Sequence, residues 1–197
     1  MIVNMDSWLR GKALPPASRY PRIDDGTLVR LDKFAFPKIR GLDVPHNPSV
    51  ASHLDFGPDL REGHITLQQP PIVSAPFPVL VPQADADGNE RGGIRLPEVS
   101  VPLATNAPWN FRDPSIGAPD QRISFECSFL PFATDTAARV QTGDPRPSVA
   151  ERYESREAYF LRYSQALDTL IREGFLLAED RSALLQRGSE EWEFAVK

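Results

Sequence analysis

The stretch VPQADADGNERGGIRLPEV, Val81 to Val99, decides what the middle of this chain can build. Asp85, Asp87 and Asn89 alternate as the first oxygen ligands of a calcium loop do. Such a loop also needs Gly at its sixth position and a bidentate Glu at its twelfth. Counted from Asp85, those positions hold Glu90 and Leu96. The flanks FPVLVPQA and RGGIRLPEVSVPLA are β-branched and apolar, with Asp87-Gly88-Asn89 between them. Two such runs around a glycine turn predict a β-hairpin, and no metal is expected.

Twenty prolines, about twice ordinary usage, all fall between Pro15 and Pro147, and the last fifty residues have none. The long middle is therefore expected as short strands, turns and extended connections, and the end as helix. Apolar and charged fractions of 41% and 25% fit a globular chain, and 197 residues are enough for one real core, or for a core and a smaller appendage. A net charge of −5 offers no basic stripe for nucleic acid. The chain has no apolar run long enough to span a membrane. MIVNMDSWLRGK lacks the n- and h-regions of a signal peptide, leaving the cytoplasm as the default location. Cys127 is the single cysteine, which excludes an internal disulfide.

Val3, Met5, Trp8 and Leu9 share a helical face before Gly11, and Pro15, Pro16 and Pro21 then enforce an extended tether. Asp25-Gly26 marks a turn before a strand at Thr27 to Leu31. A further strand is expected in HITLQQPPIV from His64, and another in RISFECSFLPFA from Arg122. The segment from Thr134 predicts a short helix. Ser148 and Glu151 form a capping box, and Ser155 caps a helix to about Glu173. Its buried stripe is Tyr159, Tyr163, Ala166, Leu167, Leu170 and Ile171. A second helix, from Ala178, is expected to stop at Gly188. The fold class is α+β: a small antiparallel β element with a hairpin, proline-rich loops and a C-terminal helical pair, not a complete α/β-hydrolase sheet. Residues 1–40 are expected as helix and tether, and 41–197 as the α+β domain.

Chemistry is sparse. The strings G-x-S-x-G, G-x-G-x-x-G and H-E-x-x-H are absent, so neither a nucleophile elbow, a phosphate cradle nor a zinc helix is supported. His46, His53 and His64 lie close in sequence, with Asp55 and Asp59 among them, but their spacing fits no metal motif. They are expected as surface histidines. Cys127, in an apolar strand context, is expected as a buried structural thiol. Trp109, Asn110 and Arg112 are the candidates for lining a pocket. Their structural alternative has Trp109 and Phe111 covering the hairpin while Arg112 pairs with Asp113.

Several strings together resemble the C-terminal region of the bacterial α/β-hydrolase domain-containing proteins. DSWLRGKALPPASRYPRIDDGTLV resembles that family's last hydrolase helix and its proline-rich exit, and LVPQADADGNERGGIRLPEVSVPLAT its hairpin. FLPFA and GDPRPSVAERYESREAYFLRYSQALDTLIREGFLLAED resemble its terminal helices. The resemblance implies a carboxylic ester hydrolase whose nucleophile and catalytic histidine lie upstream of the helix at which this chain begins. No catalytic residue is therefore expected here, no cofactor, and no activity from the chain alone. Ala107-Pro108 and Glu126-Cys127 depart from the pattern. A hydrolase subunit, or a second copy bound through the Trp8 helix, is the expected partner. A stand-alone, non-catalytic interaction or structural module is the other reading.

Overall fold

The structure, a computed structural model, describes residues 2–46, 48–58, 63 and 70–197. Helix α1, Ile2–Leu9, ends where Gly11 takes φ +66° and its N–H bonds back to the Trp8 carbonyl. That close is the glycine-terminated stop a helix this short needs. Among the described residues it is tied to the rest of the chain by Asn4, whose amide donates to the Gly174 carbonyl at 3.0 Å. Ile2, Val3, Met5, Trp8 and Leu9 remain exposed. The prolines after it hold the chain extended until β1, Leu28–Arg30.

Among the described residues there are three two-stranded antiparallel sheets, a mixed α+β arrangement. Strand β1 pairs with β4, Leu80–Pro82; β2, Ser52–Asp55, pairs with β3, Ile72–Pro76; β5, Ala104–Ala107, pairs with β6, Ser128–Pro131. The expected hairpin therefore shrinks to its turn. Ala84 bridges Glu90, and Arg91 N–H reaches the Gln83 carbonyl at 2.9 Å, but no second strand follows. Gly93 adopts φ +77°, and Pro97, which has no N–H, opens helix α2, Pro97–Ser100. Both interrupt a ladder. Leu80–Pro82 pairs instead with a segment some fifty residues upstream. Of the strand expected from His64, residues 64–69 lie outside the described residues; β3 begins just after them.

The helical end follows its sequence closely. Helix α3, Thr136–Thr142, is capped by Asp135 and ends at Gly143 in the left-handed region. Helix α4, Val149–Arg152, has the full Ser148–Glu151 capping box. Helix α5, Arg156–Arg172, starts at Ser155, and Tyr159, Tyr163, Leu167 and Leu170 are buried along it. Helix α6 runs Arg181–Ala195, after a 3-10 turn at Ala178–Asp180. It passes straight through Gly188, where a stop was expected. A Cβ there would sit 2.8 Å from the Tyr163 ring, so this glycine allows close helix approach and is not a terminator.

Leu103, Phe132, Val149, Tyr153, Tyr159, Tyr163, Leu167 and Ala195 form the main core, and Ile39, Leu42 and Ala107 a smaller one. Cys127 is exposed, correcting the buried thiol. Its apolar neighbours mislead: Phe125 has φ +63° and is fully exposed, so the chain turns out to solvent between the Phe111–Arg122 bridge and the ladder that begins at Ser128. Among the described residues, no helix is long and apolar enough to cross a membrane.

Candidate functional site

The turn at Asp85–Glu90 is inlaid against β5. Asp85 Oδ1 accepts the backbone N–H groups of Asp87 and Asn89, each at 3.0 Å, and its Oδ2 accepts from Arg95 at 2.8 Å. Asp87 is held bidentately by Arg152, and its carbonyl accepts from the Thr105 hydroxyl. The carboxylates that suggest a calcium loop are thus engaged by protein donors. Asn89 is fully buried and acts as a surrogate strand partner. Its amide nitrogen donates to the Ala104 carbonyl at 3.0 Å, and its Oδ1 accepts from Asn106 N–H at 2.8 Å.

Arg146 secures this platform from below. Buried like Asn89, it donates to Thr105 Oγ1 at 2.7 Å, to the Leu130 and Pro131 carbonyls, and to both Asp144 oxygens. Burial alone would raise the Asp144 carboxyl. The hydrogen bonds and charge of Arg146 outweigh that and hold it below its ordinary value. Arg146 and Arg152 also stand over the Phe132 ring at 5.0 and 4.1 Å.

In front of the turn opens a cleft of about 290 Å³. Phe34, Phe36 and Trp109 supply its aromatic wall, and Gly88 and Glu90 of the turn line it. Phe36 and Trp109 are 5.3 Å apart, ring centre to ring centre. Gly88 has φ +79°, and a Cβ on it would meet Phe36 and Thr105 at 2.9 Å, so glycine is required both by conformation and by space. Glu90 and Arg122 are the charged groups at the cleft, and neither makes an ion pair among the described residues. The chamber suits an apolar group about the size of a substituted ring, with polar atoms facing outward.

Of the three loop candidates, Trp109 lines this cleft, while Asn110 and Arg112 are not among its lining residues. Trp109 is fixed by its Nε1–H, which donates to the Asp43 carbonyl at 2.8 Å. Asn110 closes its own loop by accepting from Phe111 N–H at 2.9 Å. Arg112 reaches Gln121 at 3.5 Å, and Asp113 spends its carboxylate on Ser115, so the expected Arg112–Asp113 pair does not form. Phe34 and Phe36 went unnoticed in sequence. Their signal was spacing: two aromatics two apart in an extended segment fall on one side.

His46 and His53 are exposed, and the His53 ring lies 3.9 Å from that of Phe77. His64 and Asp59 lie outside the described residues. Among the described residues no group of three His, Cys, Asp or Glu is placed to hold a metal, and no serine hydroxyl hydrogen-bonds a histidine ring.

A family model described as an alpha/beta hydrolase domain matches residues 1–186. The chain belongs to this family. The match takes in the cleft, the turn and helices α1 to α5, stopping within α6, so the whole site is family territory. No curated protein and no solved structure matches the chain.

Proposed function

We propose that the chain forms the C-terminal portion of a carboxylic ester hydrolase of the alpha/beta hydrolase family, without itself holding the nucleophile and the catalytic histidine. The observation that carries this is the family match over residues 1–186, in a chain whose sequence has no nucleophile elbow. A nucleophilic hydroxyl needs a base within hydrogen-bond reach and a third group to orient that base. The apolar cleft beside Trp109 would receive the hydrocarbon part of an ester, while the reacting carbonyl is presented to residues outside this chain. Residues 1–40 serve as helix and tether, fastened by Asn4 to Gly174 and by an Arg19–Glu173 ion pair of 2.9 Å. Residues 41–197 serve as the α+β domain.

The test begins with the coding sequence upstream of this chain. It is expected to specify G-x-S-x-G followed by a late histidine, and the two polypeptides expressed together are expected to hydrolyse short-chain aryl esters. The chain alone is expected to give no turnover. Turnover by the isolated chain that a serine-directed phosphonate stops would overturn the assignment.

A non-catalytic interaction module is the second reading, favoured by the exposed apolar side chains of α1. In either case α1 is the proposed docking element, for a hydrolase subunit or a second copy. Trp8→Ala is expected to weaken that contact by about 2 kcal/mol, by analogy with aromatic hot spots. Sedimentation equilibrium of both proteins, with and without the upstream polypeptide, measures it. Equal association would dismiss α1 as the docking element.

A further inference from the structure

Where α2, α5 and α6 meet, the polar groups do not balance. Tyr159 and Tyr163 are wholly buried, and among the described residues their hydroxyls and the buried Glu98 Oε2 make no well-formed hydrogen bond. Arg187 Nε faces Glu98 Oε1 at 3.4 Å and Glu191 Oε1 at 3.7 Å. One guanidinium therefore serves two carboxylates, whose side chains are only 12% and 20% exposed. A second negative charge in such a place lacks its own counter-ion, and an unpaired buried charge is costly.

We propose that Glu191 is a proton-responsive latch: α6 docks most tightly on α2 and α5 when its carboxyl is neutral, and loosens when it ionises. A protonated Glu191 removes the excess charge and leaves the Arg187 guanidinium to Glu98 alone. The groups facing it are Glu98 from α2, Tyr159 and Tyr163 from α5, and Arg187 and Glu190 along α6; β6 contributes the uncharged Phe129. Glu190 is turned to Gln186, which donates to it at 3.0 Å. Burial first, and then the charge of Glu98, push the Glu191 carboxyl above its ordinary value against the pull of Arg187. Burial likewise raises both tyrosines, so they remain hydroxyls throughout the range in which Glu191 titrates.

Because the folded value is raised, the contribution of Glu191 is fully present below the unfolded value of 4.5 and is lost as pH rises through the folded one. A Cβ on Gly188 would meet the Tyr163 ring at 2.8 Å, so α5 and α6 approach closely one turn from Glu191.

The experiment pairs a carboxyl-carbon NMR titration of the wild-type protein with urea denaturation of wild type and Glu191→Gln. One glutamate signal is expected to titrate above all the others and to be missing in Glu191→Gln. Glu98→Gln should lower that signal's midpoint by removing the neighbouring charge, an effect that a merely structural role would not produce. The urea midpoint of Glu191→Gln is expected to exceed the wild type's at about pH 8, with the gap closed at about pH 4.5. Amide exchange across residues 181–195, corrected for its intrinsic pH dependence, should quicken with pH in the wild type alone. If Glu191 titrates among the surface glutamates, or the gap is the same at both pH values, the latch is refuted. The wild-type titration decides even where a variant fails to fold.

Discussion

The helical end and the first four strands solve the same problem with opposite resources. Between Ser148 and Ala195 the chain buries Tyr153, Tyr159, Tyr163, Leu167 and Leu170 and stacks Trp192 on Tyr159 at 5.0 Å. Strands β1 to β4 have no fully buried residue; β3 is exposed along its whole length, Ile72 and Val73 included. A helix at 3.6-residue periodicity can gather a stripe of apolar groups on one face and bury it against a neighbour. A two-stranded sheet has no such depth and is marginal without a third layer. The difference points to the helices, and the polar platform that joins them to β5 and β6, as the seat of this chain's stability, and not to strands β1 to β4.

Substitutions across the two regions should separate them sharply. The largest loss is expected at the platform. Arg146→Met strands Asp144 and the Leu130 and Pro131 carbonyls in the interior, and should cost about 3–5 kcal/mol in urea denaturation, as breaking one side of a buried pair does. Acid should expose the same pair from the other side. With the Asp144 carboxyl held below 3.8, its stabilisation is present above that value and fades as pH falls through the folded one. The wild-type urea midpoint should accordingly decline at low pH more steeply than that of Asp144→Asn.

Gly188→Val comes next. Its Cβ would meet the Tyr163 ring at 2.8 Å, and overpacking of this kind costs roughly 1–3 kcal/mol. A thermal melt that leaves the variant unchanged would mean that α5 and α6 are less closely docked than they stand here. Ser148→Ala removes one half of the capping box and should cost about 1 kcal/mol, read again from the urea midpoint. The smallest effect is expected in β3, where Val73→Thr changes an exposed side chain and should stay within about 0.5 kcal/mol. A large loss there would break the comparison, because it would reveal that the β2–β3 pair is covered in solution.

The candidate site was only partly legible. Trp109 stood out because an aromatic residue in a polar loop invites a pocket, and it does line the cleft. Asn110 and Arg112 shared that loop but are turned to local backbone and to Gln121. Arg122 and Glu90 gave no signal, since single charges in loops are ordinary and the two reach the cleft from separate segments of the chain. Phe34 and Phe36 belonged to a tether whose partner, the turn at Gly88, lies some fifty residues away.

The sequence by itself determined the turn at Asp87-Gly88-Asn89, the caps at Ser148 and Ser155, the face of α5 and the family. Each depends on a few neighbouring residues, or on an ordered series of strings, that local chemistry makes distinctive. Only the tertiary structure decided the partner of Leu80–Pro82, the exposure of Cys127 and the continuation of α6 through Gly188. A glycine permits both a helix stop and a close crossing. Which of the two it serves depends on whether another chain segment presses against it, and here the Tyr163 ring does.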